Sequence, residues 1–199
     1  MKIAVFGGSF DPPHIGHLLV AQQVKKLLNI DQIWFMPIFT HPSTKPLTVT
    51  KHRFAMTRLL ENDTIKASDF AIEKKLRYEI DILKKLMQTY QQHSFYWICG
   101  SDQIENFLKW KNWEELLSKY KIIIYAREGR KEMIEEELQL LTGLRTIPNN
   151  IFILTPENLP IINISSETIR ERVKQRQSIR GLIAKTVERY IETHHLYST

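Results

Sequence analysis

Short apolar runs and amphipathic stretches take turns along this chain. Ile3-Ala4-Val5-Phe6 reads as a strand, since a brief continuous apolar run is what a strand buried on both faces requires. Leu18 to Leu28 follows at helical spacing, and Gln32 to Met36 forms a second strand halted by Pro37. Ile38 to Thr50, with Pro42 and Pro46 among polar residues, reads as a surface loop. Helical spacing resumes at Phe54, Met56, Leu59 and Leu60, and Ile65 to Ile72 fits short extended pieces. Ile82, Leu83, Leu86, Met87 and Tyr90 recur at the helix period and predict a helix over Tyr78 to Gln92. Phe95 to Cys99 is a buried strand ended by Gly100, and Ile104 to Leu117 gives one or two short helices. Lys121 to Ala126 is a strand, Lys131 to Leu141 helical, and Ile151 to Thr155 a further strand. Ser165 to Gln175 and Ile183 to His194 close the chain as helices, and no internal repeat or low-complexity tract interrupts the series.

Strands alternating with helices predict an α/β fold, a doubly wound (Rossmann-like) parallel sheet flanked by helices, with a small C-terminal helical part. One domain over residues 1–199 is expected, closing with helices from about 165–199. In such sheets ligands sit outside the carboxyl ends of the strands. The polar residues of interest fall at those ends: Gly7 to His17 after the first strand, the Pro37 to Pro46 loop after the second, Gly100-Ser101-Asp102 and Arg127 after later ones.

Composition narrows the partners. A net charge of +6 over 199 residues suits a polyanionic ligand. The basic residues are scattered and form no recognition motif, so phosphorylated metabolites are expected rather than nucleic acid. The single cysteine, Cys99, excludes an internal disulfide and a cysteine-rich metal site, and its apolar setting marks it as an inert core residue. No secretion signal and no bilayer-length apolar run is present, so a cytoplasmic protein without a membrane partner is expected.

The chemistry concentrates in Gly7-Gly8-Ser9-Phe10-Asp11-Pro12-Pro13-His14-Ile15-Gly16-His17. A strand, a glycine turn and a helix start describe a phosphate-handling site, because glycine admits close approach and a helix N-terminus offers N–H groups. His14 and His17, three apart in the first helical turn, can both donate to phosphate oxygens. Neither a P-loop nor a Gly-x-Gly-x-x-Gly fingerprint is present. Ser165 or Ser166 is a good N-cap whose turn can receive a phosphate, and Arg170 can add a bidentate guanidinium. The plain alternative is a capped helix with a solvated arginine. Lys45 and Arg127 fit phosphate clamps or ordinary surface cations, and Asp102 fits a ribose acceptor or a helix cap.

The run Gly-Gly-Ser-Phe-Asp-Pro-Pro-His-Ile-Gly-His resembles the signature of the nucleotidyltransferase superfamily, and within it the nicotinate (or nicotinamide) mononucleotide adenylyltransferases. Ile164-Ser165-Ser166-Glu167-Thr168-Ile169-Arg170 and the terminal Tyr190-Ile191-Glu192 and Leu196-Tyr197 resemble the same family's C-terminal pattern. The resemblance implies adenylyl transfer from ATP to nicotinate mononucleotide, with Mg²⁺ travelling on the ATP phosphates and no protein metal site. It implies catalysis by His17 and His14, and phosphate binding by Gly8, Ser9, Phe10, Lys45, Ser165, Ser166 and Arg170. Gly100, Asp102 and Arg127 would serve the ribose and dinucleotide, and Trp110 and Tyr78 the pyridine ring. Two stretches depart from the family pattern: Thr40 to Pro46, and Arg77-Tyr78-Glu79, where a Glu79 carboxylate would repel a nicotinate carboxylate. Nicotinamide mononucleotide as preferred acceptor, a phosphopantetheine-type enzyme and a noncatalytic nucleotide-binding module stay open as alternatives.

Overall fold

A computed structural model describes residues 1–40, 46–126, 131–155 and 164–198. Six strands form one sheet: β1 (Lys2–Gly8), β2 (Gln32–Pro37), β3 (Ile65–Ala67), β4 (Ser94–Gly100), β5 (Lys121–Tyr125) and β6 (Ile151–Leu154). Their order is β3-β2-β1-β4-β5-β6, with every neighbouring pair parallel. The chain therefore winds outward from β1 in one direction, then returns to β4 and winds the other way. This is the doubly wound arrangement that the alternation predicts, and the reversal leaves a crevice between β1 and β4.

Helices cover both faces: α1 (Ile15–Leu28), α2 (Thr50–Arg58), α3 (Phe70–Glu73), α4 (Glu79–Thr89), α5 (Trp113–Lys119), α6 (Lys131–Thr142), α7 (Ser166–Lys174) and α8 (Lys185–Thr193). Because strand side chains alternate, each central strand feeds two cores. Ile3 and Val5 of β1, with Phe95 and Trp97 of β4, pack beneath α3 to α6. Ala4, Tyr96, Ile98 and Ile123 face the other way, onto α1, α2, α7 and α8. Burial on both sides is why these strands read as continuous apolar runs.

Local chemistry sets several boundaries. Asn29, left-handed at φ 50°, ends α1, its N–H returning to the Lys25 carbonyl. The helix expected over Tyr78 to Gln92 is shorter at both ends. Tyr90 leaves helical geometry to set its ring edge-on against Trp34 at 5.6 Å. Ile65 to Ile72 divides into strand β3 and the start of the one-turn helix α3. Between Ser101 and Lys109 the chain takes a 3₁₀ form, which stacks Ile104 and Phe107, three apart, on one buried edge. Among the described residues no helix is long and apolar enough to cross a membrane.

Candidate active site

The loop after β1 is held by its carbonyls. Gly8 accepts from the Ile38 N–H at 2.9 Å, and Ser9 accepts from Arg53 Nη1 at 2.8 Å. In a planar trans peptide the N–H opposes the C=O, so these contacts turn the Ser9 and Phe10 N–H groups away from Ile38 and Arg53. Asp11 and Pro12 both precede a proline, so their peptides carry a carbonyl and no N–H. Both carbonyls are covered: Arg170 Nη1 donates to Asp11 at 2.7 Å and Ser166 Oγ to Pro12 at 2.8 Å. An uncovered carbonyl dipole here would repel an anion; the α7 side chains remove that repulsion and bind α7 to the loop.

His14 is the N-cap of α1 and is buried. Its backbone N–H donates to His17 Nδ1 at 3.1 Å, and its carbonyl accepts from the His17 N–H at 3.0 Å. Nδ1 of His17 must offer a lone pair to make this bond, so the ring proton of His17 sits on Nε2, a donor on the far side of the ring. The two imidazoles lie 3.8 Å apart between centroids, and Phe10 packs on His17 at 4.7 Å. Gly16 is what permits this packing, because a Cβ there would stand 2.9 Å from His14 Nδ1. Gly7 has a similar reason, since a Cβ would overlap the Trp97 ring. The first turn of α1 carries no acidic residue, and its Ile15 N–H donates to the Leu182 carbonyl at 3.0 Å.

Ser165, not Ser166, caps α7, accepting from the Thr168 N–H at 3.0 Å. This frees Ser166 for Pro12. Gly100 and Asp102 stand at the carboxyl end of β4, across the crevice from the β1 loop. Gly100 itself is the N-cap residue of the 3₁₀ segment, so Asp102 lies inside its first turn and accepts from Gln103 Nε2 at 2.8 Å. Trp110 follows that segment and stacks on Phe107 at 4.7 Å, while Trp113 is half-buried against the same core. Tyr78, the N-cap residue of α4, comes close to this corner: Lys111 Nζ lies 5.2 Å from its ring centroid and 2.8 Å from Asp81 Oδ2. Glu79 opens α4 beside it, and burial raises its carboxyl pKa above the usual range. Lys45 and Arg127 lie outside the described residues. The structure thus joins Gly8, Ser9, Phe10, His14, His17, Ser166 and Arg170 directly, and brings the Tyr78 and Trp110 regions together on the other core's side.

Arg53 was not legible as a site residue. It is buried, and besides Ser9 its guanidinium donates to the carbonyls of Thr48 and Ile38, both at 2.9 Å. Burial lowers its pKa, and the nearby Asp11 carboxylate opposes that shift. One side chain therefore ties the loop after β1 to the connection between β2 and α2, on both sides of residues 41–45. The Asp11 carboxylate is also buried, accepting from the Thr48 N–H at 3.0 Å and the Tyr197 hydroxyl at 2.7 Å. Cys99 lies in the core as expected: its thiol is buried, which pushes its pKa up, and Sγ faces the Ile123 carbonyl. Among the described residues no group of three His, Cys, Asp or Glu could hold a metal ion.

A cytidylyltransferase-like family model matches residues 5–172. A probable nicotinate-nucleotide adenylyltransferase of Exiguobacterium sibiricum is 34% identical, with 100% of both chains covered. One from Caldicellulosiruptor saccharolyticus is 35% identical over 99% of both. This chain belongs to the nicotinate-nucleotide adenylyltransferase family. Among solved structures, the Plasmodium falciparum nicotinic acid mononucleotide adenylyltransferase complexed with NaAD superposes with a TM-score of 0.80. It covers 98% of this chain and 97% of its own, at 24% identity, and supports the fold. Within the family's Rossmann-like frame, the His14–His17 pair occupies the β1 side of the strand-order reversal, where doubly wound proteins bind nucleotides.

Proposed function

We propose that this protein transfers the adenylyl group of ATP to nicotinate mononucleotide, releasing pyrophosphate and forming deamido-NAD. The observation that carries the reading is the His14–His17 pair at the N-terminus of α1, in a chain whose nicotinate-nucleotide adenylyltransferase relatives span its whole length. An oxygen of the mononucleotide phosphate attacks the α-phosphorus, and the bond from that phosphorus to the bridging oxygen of pyrophosphate breaks. Such a transfer needs alignment and charge stabilisation, not a protein nucleophile. His17 Nε2–H, fixed as a donor by the bond at Nδ1, stabilises charge on the α-phosphate and leaving group. His14 holds the same phosphate, and the N–H groups of the Gly8 to Phe10 turn position the attacking one. Ser165, Ser166 and Arg170, with α7 and α8, complete the triphosphate side, Arg170 and Ser166 acting through the loop carbonyls they cover. Lys45 and Arg127 add charge to the phosphates and ribose.

Across the crevice, Gly100 and Asp102 receive the dinucleotide riboses, and Trp110 and Tyr78 the pyridine. Mg²⁺ enters as part of the ATP substrate. The departure at Glu79, next to Tyr78, keeps the amide as the alternative acceptor, because an ionised carboxyl facing the nicotinate carboxylate would repel it. Pyrophosphate release from ATP and Mg²⁺ is measured with nicotinate mononucleotide, nicotinamide mononucleotide and phosphopantetheine supplied separately. Turnover with the acid form is expected. A higher kcat/KM for the amide reverses the acceptor assignment, and silence with both pyridine nucleotides despite ATP binding overturns the activity.

A further inference from the structure

The turn after α8 brings the hydroxyl of a half-buried tyrosine onto the loop after β1. His195 and Tyr197 both take left-handed backbone at φ 51° and 64°, and the Leu196 N–H returns to Ile191 at 3.0 Å. A bulky aromatic residue is an outlier in that region, and such strain persists only where the surroundings hold it. What holds it here is the Tyr197 hydroxyl, which donates to Asp11 Oδ1 at 2.7 Å across the fold. Phe10, the residue before Asp11, is itself left-handed at φ 48°. Asp11 is thus the joint between two strained positions, its second oxygen fixed by the Thr48 N–H.

We infer that Tyr197 is a positioning residue for the reaction: through the Asp11 carboxylate it sets the conformation of the Gly7–His17 loop that receives the phosphates. The inference rests on the adenylyltransfer reading. Burial and the neighbouring Asp11 raise the pKa of the Tyr197 hydroxyl, so it remains a donor across the working pH range. Its loss leaves a buried carboxylate oxygen without that donor, beside the site where anionic substrates gather. Asp11 then keeps the Thr48 N–H on its other oxygen but loses the contact that fixes this one, and the loop loses its tie to the turn after α8.

Tyr197→Phe removes the hydroxyl and keeps the ring. With wild-type turnover as reference, kcat is expected to fall about tenfold while KM for ATP changes less than about threefold, since displacement near 1 Å costs on the order of 10² in rate. Asp11→Asn in the Tyr197→Phe background supplies rescue: the amide oxygen can accept from Thr48 N–H while its NH₂ fills the space left by the hydroxyl. The double variant is therefore expected to be faster than Tyr197→Phe, and the two losses not to multiply. A fully folded Tyr197→Phe with wild-type kcat overturns the inference, as do losses that multiply. Folding is checked by urea titration at the assay temperature. If Tyr197→Phe is not folded there, the double variant decides: recovered folding and turnover support the coupling, and neither recovering refutes it. Absence of turnover by the wild type would instead count against the adenylyltransfer reading.

Discussion

Gly16→Ala separates activity from stability at a single atom. The added Cβ would stand 2.9 Å from His14 Nδ1 and 3.0 Å from Cε1, against ordinary contact near 3.5 Å. The imidazole must retreat by about 0.5 Å to restore that contact. It has little room, being 5% exposed and 3.8 Å from the His17 ring. His17 is tied to the same residue through Nδ1, so the displacement reaches the Nε2 donor. Half of a 1 Å misplacement corresponds to roughly a tenfold loss in kcat, or about 1.4 kcal/mol in the barrier. Stability moves differently. Gly16 is the second residue of α1, where alanine gains about 0.5–1 kcal/mol in helix propensity. That gain offsets part of the steric cost. The Tm is then expected within about 4 °C of wild type, while kcat from pyrophosphate release drops about tenfold. Wild-type kcat in a folded Gly16→Ala protein would refute the claim that His14 packing sets the His17 donor. A collapse in Tm with normal residual kcat per folded molecule would refute it equally.

His17→Ala should lower kcat by about 10²-fold or more with Tm little changed, a donor to developing charge having been removed; steady-state assay and thermal melt check both. Arg53→Met strips donors from the carbonyls of Ser9, Thr48, Ile38 and Phe39 and should cost about 3–5 kcal/mol, read from urea midpoints; a loss below about 1 kcal/mol would contradict the tie between the β1 loop and the β2–α2 connection. Glu79→Gln tests the half-buried carboxyl. A raised pKa means that the folded state binds the proton more tightly, so Glu79's contribution is most favourable below its unfolded pKa and is lost as pH rises through the folded one. The glutamine variant should gain Tm over wild type near pH 8 and lose that advantage below about pH 4. Cys99 should resist a thiol reagent in the native protein and react on unfolding, because it is buried and its thiol pKa is raised.

The strand runs, the helix periods and the two end motifs were enough to give the α/β architecture, because burial on two faces writes itself into local apolar patterns. The same local logic exposed His14, Gly16 and His17, whose spacing within one helical turn is contained in the chain's own geometry. Family resemblance supplied the acceptor and the pyridine side. The tertiary structure decided what local pattern cannot encode. Ser165 and Ser166 are neighbours with equal capping propensity; only docking against Pro12 gave one to the helix and the other to the loop. Arg53 sits in a polar stretch of α2, yet the β1 loop and both ends of the β2–α2 connection converge on its guanidinium and bury it. Asp11 and Tyr197 lie 186 positions apart, and their bond exists because α7 and α8 fold back onto the edge where β1 ends. Hydrophobic periodicity records which way a side chain faces. The partner of a buried polar group is set by long-range docking, where satisfying each donor and acceptor is worth more than any local preference.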